Sequence, residues 1–146
     1  MGQTKLQNTD VVILCGGQGT RLKEETEMKP KPMVEIGGRP ILWHIMKYYS
    51  CYGFRRFILA LGYKSEYIKK YFYDYRILFS DFTIHLDPHA VPQVHSVSDE
   101  SNWEIILVDT GLHTLKGGRI KRLESYIQSD HFHLTYGDGH PLLFYE

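Results

Sequence analysis

The fold is decided by residues 11–22, which read Val11-Val12-Ile13-Leu14-Cys15-Gly16-Gly17-Gln18-Gly19-Thr20-Arg21-Leu22. The first five residues are apolar and rich in β-branched side chains, which is typical of a strand buried on both faces of a parallel sheet. Three of the next four residues are glycine, and glycine lets the backbone approach a ligand closely. A buried strand followed by a glycine-rich bend predicts an α/β domain with a ligand site where the strand ends.

Strands and helices are predicted to alternate along the rest of the chain. The predicted strands occupy 57–61, 82–86, 105–108 and 132–136, the second of them half-exposed. The predicted helices cover 41–49, 65–72 and 120–127, with Ser65 as a candidate cap for the second, and surface loops are predicted at 87–101 and around Gly111 and Gly117-Gly118. This alternation predicts an α/β fold with a largely parallel sheet and helices on both faces.

Composition and charge narrow the class of protein. The 146 residues contain 17 Lys and Arg against 17 Asp and Glu, so charge provides no reason to expect a nucleic acid or an anionic membrane as partner. No apolar run approaches the roughly 20 residues of a membrane span. We expect a disordered lead-in over residues 1–10, one domain over residues 11–146, and a cytoplasmic location.

The glycine cluster and Arg21 are typical of a phosphate-binding site. Backbone N–H groups at such a bend can cradle phosphate oxygens, and the guanidinium of Arg21 suits a polyphosphate. The cluster lacks the Lys-Ser/Thr pair of a P-loop and the spacing of the dinucleotide-binding fingerprint. On the residues alone, a tight turn without a ligand explains the cluster equally well.

Two further segments carry candidate site residues. In Lys29-Pro30-Lys31-Pro32 the prolines exclude a helix and favour extended backbone, which would hold the lysines in place. Asp138 lies between two glycines after a predicted strand, where its carboxylate could hold Mg²⁺. Taken alone, spacing favours a solvated loop for the lysines and an Asp-Gly turn for Asp138.

Several separate motifs resemble those of the sugar-1-phosphate nucleotidylyltransferases. Residues 14–22 are similar to the signature L-x-G-G-x-G-T-R-L, and Lys31 stands ten residues after Arg21, where that family has its active-site lysine. The likeness is greatest to members that transfer a cytidylyl group to glucose 1-phosphate, and it runs from about Val11 to Gly139. The other segments that carry it are 24–46, 62–64, 108–111, 117–119 and 135–139.

This resemblance implies a Rossmann-like three-layer sandwich of the nucleotide-diphospho-sugar transferase type. It also implies a Mg²⁺-dependent reaction of CTP with glucose 1-phosphate that gives CDP-glucose and pyrophosphate. Lys31 and Arg21 would be the catalytic residues, on loops that converge with the one bearing Asp138, the metal ligand. The residues that the resemblance assigns to nucleotide or substrate binding are Leu14, Gly16, Gly17, Gly19, Thr20, Thr114, Arg119 and Gly137.

The chain departs from this family after Gly139, where the sequence shows no likeness to the family's continuation. The second metal-binding aspartate and much of the sugar pocket lie in that continuation, so the likeness covers the nucleotide-binding part. We therefore keep two alternatives to a cytidylyltransferase: a non-catalytic nucleotide-binding module, and a relative that uses UTP or dTTP. An uncovered sheet edge would also favour a homo-oligomer.

Overall fold

The computed structural model describes residues 6–16, 29–96 and 98–138 of the chain. Its strands are β1 (Asp10–Leu14), β2 (Glu35–Ile36), β3 (Arg39–Pro40), β4 (Arg56–Leu61), β5 (Phe82–Thr83), β6 (Gln93–Val94), β7 (Glu104–Asp109) and β8 (Phe132–Tyr136). Its α-helices are α1 (Ile41–Cys51), α2 (Ser65–Tyr73), α3 (Tyr75–Leu78) and α4 (Lys116–Arg122). Single 3₁₀ turns cover Lys31–Met33 and Glu124–Tyr126.

The main sheet has four parallel strands in the order β7-β4-β1-β8. In the register of its centre, Val12 of β1 lies between Ile58 of β4 and Leu134 of β8. Every residue of β1 and β4 is buried, which is why both strands are almost continuously apolar in sequence. The predicted parallel α/β fold is confirmed.

Two apolar layers cover the two faces of this sheet. On one face Ile13 and Leu59 pack in a core with Leu42 and Met46 of α1. On the other face Val12 and Ile58 pack with Leu123, and Ile120 and Ile127 adjoin that core. Alternate residues of each strand therefore serve opposite cores, as the period of two along a strand requires.

The segment between β1 and α1 is built from the prolines and glycines that the sequence places there. Pro30 is extended, and Pro32 lies in the 3₁₀ turn, so the prediction of extended backbone holds for the first proline and fails for the second. A 3₁₀ turn tolerates proline near its start, where no backbone N–H donor is needed. Gly37 and Gly38 close the β2–β3 hairpin at φ of 61° and 83°, a left-handed conformation that favours glycine.

The structure corrects two predicted boundaries, one before strand β1 and one at the start of helix α2. Residues 6–10 do not belong to a disordered lead-in, because Leu6 packs against the core and Asp10 is a buried residue of β1. Ser65 is the first residue of α2 and not its capping residue. The capping position is Lys64, whose φ of 52° is left-handed.

Two loop predictions are also wrong in part. The strand expected at 82–86 is limited to β5, which pairs with β6 inside the segment 87–101 that was expected to be a loop. Gly117 and Gly118 lie within α4, because Ile120 and Leu123 anchor this helical region to the sheet despite the low helix propensity of glycine. Among the residues that the structure describes, no helix is long and apolar enough to cross a membrane.

Candidate functional site

A pocket of about 330 Å³ opens at the carboxyl ends of β1 and β8. Parallel strands of an α/β sheet place their ligand sites at this end. Six of the residues predicted for the site line this pocket: Leu14, Gly16, Lys31, Thr114, Arg119 and Asp138. The structure thus brings Gly16, after β1, and Asp138, after β8, to one pocket, while Arg21 lies outside the described residues and the meeting of its loop with Asp138 stays a prediction.

The closest pair of opposite charges in the pocket is Lys31 and Asp138, with 3.4 Å between Nζ and Oδ2. Lys31 begins the 3₁₀ turn whose next residues, Pro32 and Met33, are buried, so its backbone is held by the core. The structure thus brings together the lysine and the aspartate that sequence reasoning assigned separately.

Close packing of β8 against β1 carries Asp138 to the pocket. The Gly137 amide donates a hydrogen bond to the Leu14 carbonyl at 3.0 Å. A Cβ at Gly137 would lie 2.8 Å from Cys15 Sγ, so the glycine permits the close approach of the two strand ends. Gly137 therefore has a packing role here; the predicted ligand contact at this position stays a prediction.

Arg119 forms the floor of the pocket and is buried. Its Nε donates to the Thr114 carbonyl, Nη1 to Thr110 Oγ1 and the Leu61 carbonyl, and Nη2 to the Gly16 and Leu112 carbonyls, at 2.8 to 3.4 Å. All five N–H donors of a guanidinium are thereby engaged. Arg119 ties the ends of β1 and β4 to the loop after β7. A direct contact between Arg119 and a ligand, as predicted, would require one of these bonds to open.

Glycines make room for this guanidinium. A Cβ built on Gly16 would lie 1.8 Å from Arg119 Nη1, and one on Gly62 would lie 2.8 Å from the same atom. No heavy atom could remain at the first distance, so Gly16 is required by the position of Arg119. The structural reason for a glycine at the start of the cluster is therefore visible without a ligand.

The charges in the pocket favour an anion. Lys31, Lys116 and Arg119 face a single carboxylate, Asp138, among the lining residues that the structure describes. Burial lowers the pKa of Arg119, and the neighbouring charge of Arg122 adds to that effect. Burial, and then the Asp138 charge, raise the pKa of the Cys15 thiol far above its usual range, so Cys15 is neutral and serves as packing.

Sequence reasoning missed Lys116, Tyr136 and Pro32, all of which line the pocket. No spacing rule connects these residues, because the loop after β7 brings Lys116 to β8 only in the folded chain. Gly17, Gly19, Thr20 and Arg21 lie outside the described residues. Within residues 6–16, 29–96 and 98–138, no group of three or more His, Cys, Asp or Glu is placed to hold a metal ion.

Comparison with known families agrees with this geometry. Residues 11–144 match the family of MobA-like NTP transferase domains. The chain belongs to this family. The pocket of this NTP transferase domain thus lies at the end of the parallel sheet where the bends after β1 and β8 converge.

Two curated relatives match most of the chain. The chain is 54% identical over 129 residues to the glucose-1-phosphate cytidylyltransferase of Salmonella typhimurium, with 88% of the chain and 49% of the relative covered. It is 48% identical over 128 residues to the probable glucose-1-phosphate cytidylyltransferase of Bacillus subtilis, with 88% and 49% covered. The chain spans about half the length of these relatives.

Solved structures show the same architecture. HddC from Yersinia pseudotuberculosis complexed with GMP-PN matches with a TM-score of 0.61 at 32% identity, covering 89% of the chain and 48% of HddC. A UDP-glucose pyrophosphorylase complexed with UDP-glucose matches with a TM-score of 0.63 at 16% identity, covering 89% and 46%, and supports the fold alone. The nucleotidyltransferase type of Rossmann-like fold expected from the sequence is confirmed.

Proposed function

We propose that this chain binds CTP and carries the nucleotide-binding part of a cytidylyltransferase that makes CDP-glucose from glucose 1-phosphate. The observation that carries the proposal is the Lys31–Asp138 pair, 3.4 Å apart in a cation-rich pocket beside Gly16. The choice of CTP and glucose 1-phosphate rests on the two cytidylyltransferase relatives at 54% and 48% identity.

The chemistry requires positioning and charge neutralisation, and no covalent intermediate on the protein. A phosphate oxygen of glucose 1-phosphate attacks the α-phosphorus of CTP, the bond to the β-phosphate breaks, and pyrophosphate leaves. Both reactants are anions, so cations must screen their repulsion before the reacting atoms approach. Lys31 and, from outside the described residues, Arg21 would supply positive charge, and the backbone beside Gly16 would hold the triphosphate.

Asp138 is the residue that would hold Mg²⁺, which prefers one or two carboxylates together with phosphates and waters. The single carboxylate in the described pocket fits that preference when phosphate oxygens complete the ligand set. Bound Mg²⁺ would supply further neutralisation of the triphosphate charge. Lys31, whose Nζ lies 3.4 Å from Asp138 Oδ2 in the same pocket, would neutralise phosphate charge directly.

The test is to incubate the chain with Mg²⁺, glucose 1-phosphate and each nucleoside triphosphate in turn, and to measure pyrophosphate release and thermal stabilisation. We expect both signals with CTP alone. Pyrophosphate release with UTP or dTTP in place of CTP would reject cytosine as the recognised base. The absence of binding by every triphosphate would reject the function.

Two substitutions test the assigned roles. Lys31→Ala removes an electrostatic donor, which typically costs about 10²- to 10³-fold in rate, and Asp138→Ala removes the metal ligand. Lys29→Ala is the matched control, because Lys29 lies on the same segment but does not line the pocket. Equal turnover in the Lys31→Ala and Lys29→Ala variants would contradict the role of Lys31.

A second function is a nucleotide-binding module without transfer. It is favoured by the presence of one carboxylate in the described pocket, where the family resemblance implies two metal-binding aspartates. In that case CTP with Mg²⁺ raises the melting temperature and no pyrophosphate is released. The same experiment therefore separates the two functions.

A further inference from the structure

Lys116 is the first residue of α4 and lies at the rim of the pocket. Its Nζ is 4.6 Å from the centroid of the Tyr136 ring. At that distance the negative face of the ring attracts the ammonium group. Tyr136 is the last residue of β8, two positions before Asp138, so the cation–π contact holds Lys116 beside the Lys31–Asp138 pair.

The backbone that carries Lys116 is anchored. Arg119, one turn further along α4, binds five backbone and hydroxyl oxygens at the strand ends, and Ile120 packs on the sheet. The rim next to Lys116 is open, because a Cβ at Gly117 would meet nothing within 4 Å. Lys116 thus combines a fixed main chain with an exposed side chain that a ligand can reach.

Lys116 also differs from the other two cations of the pocket in what it contacts. The donors of Arg119 are all engaged, and Lys31 faces Asp138. Across the described parts of the chain, no carboxylate lies within 4.0 Å of Lys116 Nζ. The charge of Lys116 is therefore available to an anion without the loss of an existing ion pair.

We propose that Lys116 is a further binding residue of this site, which contacts the phosphate chain of the nucleotide while Tyr136 positions it. The inference rests on the proposed binding of CTP and adds a contact that neither the motifs nor the family resemblance identified. The aromatic face gives the ammonium group a defined place at the rim before the ligand arrives. Less side-chain freedom is then lost when a phosphate oxygen binds.

The test uses the 146-residue chain and isothermal titration with CTP and with CMP, both in the presence of Mg²⁺. Lys116→Met keeps the aliphatic length and removes the charge. We expect about tenfold weaker CTP binding, the size of one partly exposed charge-assisted hydrogen bond, and a smaller loss for CMP, which has one phosphate. Added salt should weaken CTP binding less in this variant than in the wild type.

Three further variants complete the design. Lys121→Met is the matched control on the exposed side of the same helix, and it should bind CTP as the wild type does. Lys116→Arg should restore most of the affinity. Tyr136→Leu removes the aromatic face, so Lys116→Met should weaken binding less in that background than in the wild type or in Tyr136→Phe.

The possible outcomes separate the two proposals. If the wild type binds CTP and Lys116→Met binds it equally well, the role of Lys116 is rejected and the proposed function stands. If Lys116→Met and Lys121→Met weaken binding equally, the effect is general electrostatics and the assignment is overturned. If the wild type binds no nucleoside triphosphate, the proposed function fails and the role of Lys116 fails with it.

Discussion

A buried arginine lies at each end of the parallel sheet, and the two arginines differ in their hydrogen-bond and ion-pair partners. At the amino end, Arg56 pairs with Asp10 at 2.8 Å and with Glu104 at 3.1 Å. The second oxygen of Asp10 accepts hydrogen bonds from the amides of Gln128 and Ser129. At the carboxyl end, Arg119 contacts four carbonyls and the hydroxyl of Thr110, and among the described residues it has no carboxylate partner.

This difference separates stability from function. At the amino end the buried charges of Asp10 and Arg56 neutralise each other, and with Glu104 they hold strands β1, β4 and β7 together. Among the described lining residues of the pocket at the carboxyl end, three cations face one carboxylate, and this excess of positive charge favours an anion. Four predictions test this comparison, from the largest expected effect to the smallest.

The largest effect is expected at the amino end. Asp10→Ala leaves the Arg56 charge buried with the exposed Glu104 as its ion-pair partner, and it removes the acceptor of two backbone amides. Loss of one partner of a buried pair typically costs about 3–5 kcal/mol of unfolding free energy. Urea denaturation, monitored by circular dichroism, measures this loss of unfolding free energy. Glu104→Ala is the control, because its side chain is 62% exposed and such pairs contribute about 1 kcal/mol or less.

The next effect is expected at the carboxyl end. Gly16→Ala places a Cβ 1.8 Å from Arg119 Nη1, so the guanidinium has to move and lose hydrogen bonds to the strand ends. Overpacking of this kind typically costs about 1–3 kcal/mol, and CTP affinity should fall as well. Denaturation and titration with CTP measure the two effects. Unchanged affinity together with reduced stability would show that Arg119 supports the fold and not the pocket.

The third prediction concerns the stability of the fold at acidic pH. It involves Glu100, which precedes β7 and so lies on the side of the amino end. Burial raises the pKa of Glu100, but hydrogen bonds from Tyr75 and Trp43 and the charge of Lys47 outweigh it and lower the pKa below its usual value. A lowered pKa stabilises the fold above the unfolded value, and this contribution is lost as the pH falls through the folded value. The melting temperature should therefore fall more between pH 6 and 3, a window of about three pH units, in the wild type than in Glu100→Gln. An equal fall in melting temperature for the wild type and Glu100→Gln over this pH range would contradict the prediction.

The smallest effect is expected within α4. Gly117→Ala adds a methyl group where nothing lies within 4 Å, and alanine favours the helix by about 0.5–1 kcal/mol over glycine. The variant should melt slightly higher and bind CTP as the wild type does. It is also the control for Gly16→Ala, because the same chemical change is made at a glycine with no close neighbour. A loss of CTP binding would place Gly117 itself in contact with the ligand.

Much of the sheet was predictable because its signals are local. Strands β1, β4 and β7 contain apolar runs, and β8 alternates apolar and polar residues. Helix α1 follows the helical spacing of Leu42, Ile45 and Met46. The bends around Gly16 and Asp138 follow strands β1 and β8, and parallel strands bring their carboxyl ends to one edge. That the two bends lie close to each other was therefore predictable from the order of strands and helices alone.

Other features depend on contacts between distant residues, which no local pattern records. Lys116 reaches Tyr136 across 20 positions, and Arg119 reaches Gly16 across 103. The helix over Gly117 and Gly118 opposes local propensity, and packing against the sheet outweighs it. The pairing of β5 with β6 inside a predicted loop is likewise invisible in sequence periodicity.

By itself the sequence determined the class of fold, the strand that begins it and the two bends that carry Gly16 and Asp138, because period and glycine placement are properties of neighbouring residues. Only the tertiary structure decided that Lys31 lies 3.4 Å from Asp138, that carbonyl and hydroxyl oxygens engage the donors of Arg119, and that Lys116 lies over an aromatic ring. Those facts depend on which side chains lie close together after folding. Coulomb interactions depend on the distance between charges in space and not on their separation in sequence.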